Sequence, residues 1–253
     1  MVEPAIAPPG FLAEVDRAQS EGRPGDLALL AEEREGVPWA PAGLRAIERA
    51  QLALPRSGAD PPHVLLFTGH RVDDPGRDTP RFPPDKVGAA RAEIGAAIDD
   101  AIVRHGKHLA GISGAASGGD ILFHEECQAR GIPTTVYLAL PENEYAARSV
   151  SSAGPQWTRK FHDLLEKTPF RILQPSEDLP QWLAHRPGYT VWQRNNQWML
   201  HNALAAGGRR VTLIALWNGK AGDGPGGTAD MVDQITRRGG EVVRIGAGTV
   251  FPG

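Results

Sequence analysis

From His63 onward, short apolar runs alternate with amphipathic helical stretches, and this alternation constrains the fold more than any other feature of the chain. "HVLLFTG", "HLAGISG", "PTTVYLAL", "RVTLIALW" and "EVVRI" have the length and the apolar, β-branched content of strands buried on both faces. Helical patterns lie between them. "PPDKVGAARAEIGAAIDDAIVRHG" opens on Pro83-Pro84, sets Val87, Ala90, Ile94, Ala97, Ile98 and Ala101 on one face, and stops at Gly106. "GGDILFHEECQARG" is a second helix, with Asp120 near its start and Gly131 as its stop. "YTVWQRNNQWMLHNALAAGG" is a third, closed by Gly207-Gly208, and "TADMVDQITRRGG" a fourth. The polar region 141–168 is expected to be partly helical, and "FRILQP" to add a short strand. Such alternation predicts an α/β fold, Rossmann-like and doubly wound, with a mainly parallel sheet covered on both faces. Ligands of these sheets sit beyond the carboxyl ends of the strands, where the strand order reverses.

Residues 1–62 read differently. "APPG", "EGRPGD", "GVPWAPAG" and "RSGADPP" punctuate helical patterns near Phe11–Gln19, Leu27–Glu35 and Ala42–Ala53. A small Pro-rich helical appendage or linker is expected there, ahead of a domain spanning 63–253. A net charge of −3 gives no global sign of a polyanion-binding protein. The single cysteine, Cys127, excludes an internal disulfide framework and a cysteine zinc cluster, and is read as a small core residue. "HEEC" lacks the second histidine of H-E-x-x-H, so His124 is not read as a metal ligand; no metal and no cofactor is expected. No apolar run reaches bilayer length and no signal-peptide pattern opens the chain, so no membrane partner is expected and the protein is read as cytoplasmic.

The loops after the strands share a chemistry. Thr68, Gly69, His70 and Arg71 follow the first, and "SGAASGGD", Ser113 to Asp120, follows the second. "PENE" follows the third, and "DGPGGT", Asp223 to Thr228, leads into the last helix. Two glycine-rich loops opening two helices are candidate anion cradles, because glycine lets backbone N–H groups approach a phosphate and the helix dipole favours negative charge. The candidate ligand-binding residues are therefore Thr68, Gly69, His70, Arg71, Ser113, Gly114, Ser117, Gly118, Gly119, Asp120, Gly226, Gly227 and Thr228. The loops match neither a Walker loop nor G-x-G-x-x-G, which disfavours a nucleoside triphosphatase and an ordinary NAD dehydrogenase.

The long helix adds Asn195 and Asn202 to an otherwise apolar stripe. An inward amide without a partner costs about 1–3 kcal/mol, so each should bond backbone, water or a ligand. Arg194 beside them is a candidate either for an ion pair or for a phosphate. Trp192 and Trp198 are read as core. The basic residues Arg77, Arg81, Lys86, Arg91 and Arg104 are mixed with acids and read as a solvated face.

"LLFTGHR", "ISGAASGGDILFHEECQARGIPTTVYLALP" and "GPGGTADMV" together resemble the SLOG/LOG-like superfamily of Rossmannoid nucleotide-binding domains, over about Pro62 to Ile245. That group includes lysine-decarboxylase-like phosphoribohydrolases, the DNA-processing protein of natural transformation and sensor domains of bacterial defence systems. Ser113–Asp120 is most similar to the S-G-x-A-x-G-x-D loop of the DNA-processing branch, which also tends to carry a histidine where His124 stands. Pro225–Thr228 resembles the P-G-G-x-G-T-x-x-E loop of the phosphoribohydrolases, but one glycine is missing and the family glutamate has no clean counterpart, Asp230 being the substitute considered.

The resemblance implies a sensor domain that binds a nucleotide or nucleotide-derived ligand through its glycine-rich loops. Arg71 would then neutralise charge and Asn195 would read a ribose or base edge. A homo-oligomer, or an effector or fused partner module, is compatible with that reading. The alternative is hydrolysis of a nucleotide N-glycosidic bond, with Asp120, Glu142 and Asp230 as candidate carboxylates and Arg194 as candidate arginine. Asp120 also suits the plainer role of capping a helix start. Single-stranded DNA binding is the further alternative, disfavoured by the acidic balance.

Overall fold

The computed structural model describes residues 5–55, 58, 60–74, 76–77, 80–219, 227–246 and 248–251. In chain order the helices are α1 (Pro9–Ser20), α2 (Pro24–Glu33), α3 (Ala40–Ala53), α4 (Val87–His105), α5 (Gly119–Ala129), α6 (Glu142–Ser149), α7 (Pro155–Lys167), α8 (Val191–Gly207) and α9 (Thr228–Arg237). The strands are β1 (His63–Gly69), β2 (Leu109–Ser113), β3 (Thr134–Leu138), β4 (Phe170–Ile172), β5 (Val211–Leu216) and β6 (Glu241–Ile245). They form one sheet in the order β4-β3-β2-β1-β5-β6, with every neighbouring pair parallel. Strand order reverses between β1 and β5, so the chain is an α/β, Rossmann-like, doubly wound protein.

The period of two along β1 builds both layers. Leu65 and Phe67 face a core made with Ile94 and Ile98 of α4, Ile121 of α5 and Phe161 of α7. Val64 and Leu66 face the opposite way, onto Met199 and Leu200 of α8 and Met231 and Ile235 of α9. All four β1 residues are fully buried, which is why the strand reads as a continuous apolar run rather than an alternating one. A capping box starts α8: Thr190 Oγ1 accepts from the Gln193 N–H, while Gln193 Oε1 accepts from the Thr190 N–H.

Helices α1–α3 close a third core around Phe11, Leu27, Leu30 and Ile47, sealed by Trp182 and Leu183. Charge fastens this layer to the sheet layer. Glu33 of α2, fully buried, accepts from Arg194 Nε at 2.6 Å, from Arg194 Nη2 at 3.2 Å and from Trp182 Nε1 at 2.8 Å. Asp26 takes Arg171, Trp198 Nε1 and Asn202 Nδ2. Asn202, one of the two helix amides, is thus a structural group. Among the described residues no helix is long and apolar enough to cross a membrane.

Candidate functional site

A cleft of about 660 Å³ opens at the carboxyl ends of β1 and β2 and the start of α9, beside the point where the strand order reverses. Its floor is the end of β1. Gly69 lies so close to the Phe67 ring and Leu216 that a Cβ there would stand 3.0–3.1 Å from them. Thr68 Oγ1 lies 3.4 Å from Thr228 Oγ1, so the end of β1 meets the first residue of α9 across the gap. Gly114, Gly227, Asn195 and Asn196 also line the cleft, with Tyr145, Trp192 and Met199 supplying its apolar surface.

Its outer wall is the segment after β1. Asp73, buried, accepts from the backbone N–H groups of Arg81 and Phe82 at 2.8 and 2.9 Å, which folds the segment back on itself. That fold carries Arg77 and Arg81 to the cleft wall, where Arg77 stays exposed to solvent and pairs with Asp73 at 3.5 Å while Arg81 is half-buried. Arg91 and Arg104 do behave as surface residues, paired with Glu125 and Glu126 and with Glu241. Arg71 stands at the mouth, donating to the Arg148 carbonyl at 2.6 Å with Asp74 at 3.8 Å. His70 is buried. Its Nε2 lies 3.3 Å from Asn218 Oδ1 and its Nδ1 3.3 Å from an Arg81 nitrogen, so it joins the ends of β1 and β5.

The loop Ser113–Asp120 corrects one expectation. A cradle needs backbone N–H groups aimed outward, but most here are taken up inside the protein. Ala115 N–H donates to Tyr145 Oη, Ala116 N–H to Asp120 Oδ2, Ser117 N–H to the Ser149 carbonyl and Gly119 N–H to the His70 carbonyl. An antiparallel bridge between Arg71 and Gly118 stitches this loop to the one after β1. Gly118 has φ +109°, and a Cβ there would meet Val72 N at 2.8 Å, so glycine is required for the stitching rather than for a phosphate. Ser113 and Ser117 are buried, the Ser113 hydroxyl donating to the Phe67 carbonyl at 3.3 Å, and neither lines the cleft. His124 is fully buried between the Gly114 carbonyl (3.0 Å) and Thr134 Oγ1 (2.8 Å) and fixes the same loop. Burial pushes its pKa down to about 4, so it is a neutral imidazole.

What the loop delivers to the cleft is Asp120. Its carboxylate sits against Gly114 and Tyr145, and a Cβ on residue 114 would come within 2.7 Å of Oδ2 and 2.9 Å of the phenol oxygen. Burial pushes the Asp120 pKa up to about 7, against the Ala116 N–H, which favours the ionised form. The other two candidate carboxylates do not line the cleft. Glu142 starts α6, and Asp230, whose pKa burial raises, lies in the first turn of α9 accepting from Gln234 Nε2 at 3.2 Å. Arg194 is not brought to the cleft either. It is consumed by Glu33 and by Gln174 Oε1 at 2.8 Å. Gly226 lies outside the described residues.

Asn195 of α8 is 4% exposed, donates Nδ2 to the Tyr137 carbonyl at 3.3 Å, and has no partner for Oδ1 among the described residues. A buried acceptor on a cleft wall favours a donor from a ligand or water. The sequence reading missed Asp73, Tyr145, Ser149 and Asn196. Only Tyr145 left a local signal, three residues into the helix that follows β3.

No protein-family model matches the chain, and no curated protein matches it. Among solved structures the chain is similar to DNA processing protein A from Streptococcus pneumoniae, at 12% identity and a TM-score of 0.42, covering 94% of this chain and 82% of that one.

Proposed function

We propose that the cleft binds a nucleotide or nucleotide-derived small molecule, and that the domain acts by reporting its occupancy. The observation that carries the reading is the composition of one cleft at the strand-order reversal. Hydroxyl, amide and carboxyl groups (Thr68, Thr228, Asn195, Asp120) line it from the strand ends and helices, and Arg71, Arg77 and Arg81 line it from the segment after β1, with Asp74 3.8 Å from Arg71 and Asp73 3.5 Å from Arg77. Such a division suits a molecule with a hydrogen-bonding ribose or base at one end and an anionic phosphate at the other. The volume falls within the range of small-molecule and cofactor sites, about 300–1,000 Å³. The resemblance of the strand-end loops to SLOG/LOG-like domains points the same way, with the phosphate assigned to the arginine wall and the start of α9 rather than to the Ser113–Asp120 loop.

A nucleotide should therefore raise the melting temperature, since a ligand bound only to the folded state stabilises it by mass action. Incubation with nucleoside monophosphates, NAD and cyclic nucleotides, reading melting temperature and released base in the same samples, tests this. The absence of a shift with every member would overturn the proposal. Asn195→Leu keeps the side-chain size and removes the buried acceptor. It should weaken binding of the best nucleotide about tenfold, as losing one hydrogen bond worth roughly 1.4 kcal/mol would.

Asp120 favours a second reading. A carboxyl group that titrates near neutrality inside a ligand cleft is suited to accept or give a proton, as N-glycosidic hydrolysis requires when water attacks the ribose carbon. Free base released by the wild type and not by Asp120→Asn would establish this reading in place of the sensor.

A further inference from the structure

At the amino ends of the strands, opposite the cleft, three side chains converge that the nucleotide reading does not use. His63 begins β1, His105 ends α4 and Glu241 begins β6. One ring nitrogen of each histidine and one Glu241 oxygen all lie within 4.8 Å of one another. The imidazoles stack at 3.6 Å between centroids, inclined by 11°. Glu241 is held from both sides: Arg104 binds Oε1, while Oε2 accepts from Thr212 Oγ1 at 2.9 Å and lies 3.7 Å from His105 Nε2. Thr212 Oγ1 is in turn 2.8 Å from His63 Nε2. His105 Nε2 has no hydrogen-bond partner among the described residues.

We infer that His63, His105 and Glu241 form a zinc site that clamps the end of α4 to the first residues of β1 and β6. Two imidazoles and one carboxylate are a three-ligand zinc set, with the remaining position left to solvent. Zinc holds such ligands at about 2.0–2.2 Å, so the ligand atoms would stand about 3.3–3.6 Å apart. Contraction from the present spacing is about an ångström. It also requires the part-exposed His105 ring to turn out of the stack, since parallel rings cannot both direct a lone pair at one ion. Glu241 Oε2 is the oxygen available, because Arg104 occupies Oε1. Thr212 and Arg104 orient the carboxylate, the outer-shell support that metal ligands commonly have.

Calorimetric titration of the full chain with zinc chloride at pH 7.5, with magnesium chloride as control, tests the inference. One saturable zinc site and no magnesium binding are expected. His105→Gln and Glu241→Gln should each weaken zinc at least tenfold and abolish the zinc-dependent rise in melting temperature, while circular dichroism shows both variants folded. No saturable binding by the wild type, or undiminished affinity in both variants, would overturn it.

Discussion

Replacing Glu33 by alanine is expected to lower folding stability by about 3–5 kcal/mol, seen as a melting temperature about 6–20 °C below the wild type. The size of the effect follows from what remains behind. Arg194, 3% exposed, would keep a full charge inside the protein with Gln174 as its neutral partner, and Trp182 would lose the acceptor of its indole N–H. Removing one member of a buried ion pair costs far more than the pair itself contributes. The double variant Glu33→Leu with Arg194→Met should therefore regain most of the loss, because no unpaired charge stays buried. Thermal or urea unfolding of the single and double variants checks both statements. A single-variant loss below about 1 kcal/mol, or a double variant as unstable as the single, would contradict the assignment of this pair as the bolt between the N-terminal helices and the sheet.

The second large effect is on pH dependence. Asp120 folds with its pKa raised from 3.8 to about 7, so the ionised carboxylate is penalised in the folded state. The wild type should lose stability as pH rises from about 4 to about 7 on account of this group, and no further above that. Asp120→Asn keeps an oxygen for the Ala116 N–H and cannot ionise. Its advantage over the wild type should be near zero at pH 4, grow through that window, and level off above pH 7 at roughly 2–4 kcal/mol, at about 1.4 kcal/mol per pKa unit with allowance for its opening to the cleft. Comparing the two proteins at each pH cancels the other titrating groups, His124 included. Urea unfolding from pH 4.5 to 8.5 reads the difference directly, and a flat difference would mean that Asp120 is an ordinary helix-start carboxylate. A stabilising substitution in the cleft would mark a residue kept at the expense of stability.

The strands and the helices between them were legible because burial on both faces leaves an unmistakable pattern: "HVLLFTG" became β1 with five consecutive buried residues. The strand-end location of the cleft followed from topology. Partner choice did not, because it depends on contacts remote in sequence. Arg194 stands in an inward stripe, but its partner Glu33 is 161 residues away in α2. Nothing local shows that Arg77 and Arg81 line the cleft; Asp73 places them there by gathering the backbone of Arg81 and Phe82. In "SGAASGGD", glycine permits either a phosphate cradle or a tight internal stitch, and the bonds of Ala115, Ala116, Ser117 and Gly119 to Tyr145, Asp120, Ser149 and His70, together with the Arg71–Gly118 bridge, distinguish the two. His63, His105 and Glu241 carry no local motif, since each lies at the end of a different element.

The most direct test of the central claim is calorimetric titration of the wild type with each nucleoside 5′-monophosphate and with the matching nucleoside. Saturable one-to-one binding of at least one monophosphate, with its nucleoside bound at least tenfold more weakly, is the predicted result, because the arginine wall should contact only the phosphorylated form. Failure of every monophosphate to bind, or equal affinity for monophosphate and nucleoside, would contradict the assignment of the cleft to a nucleotide phosphate.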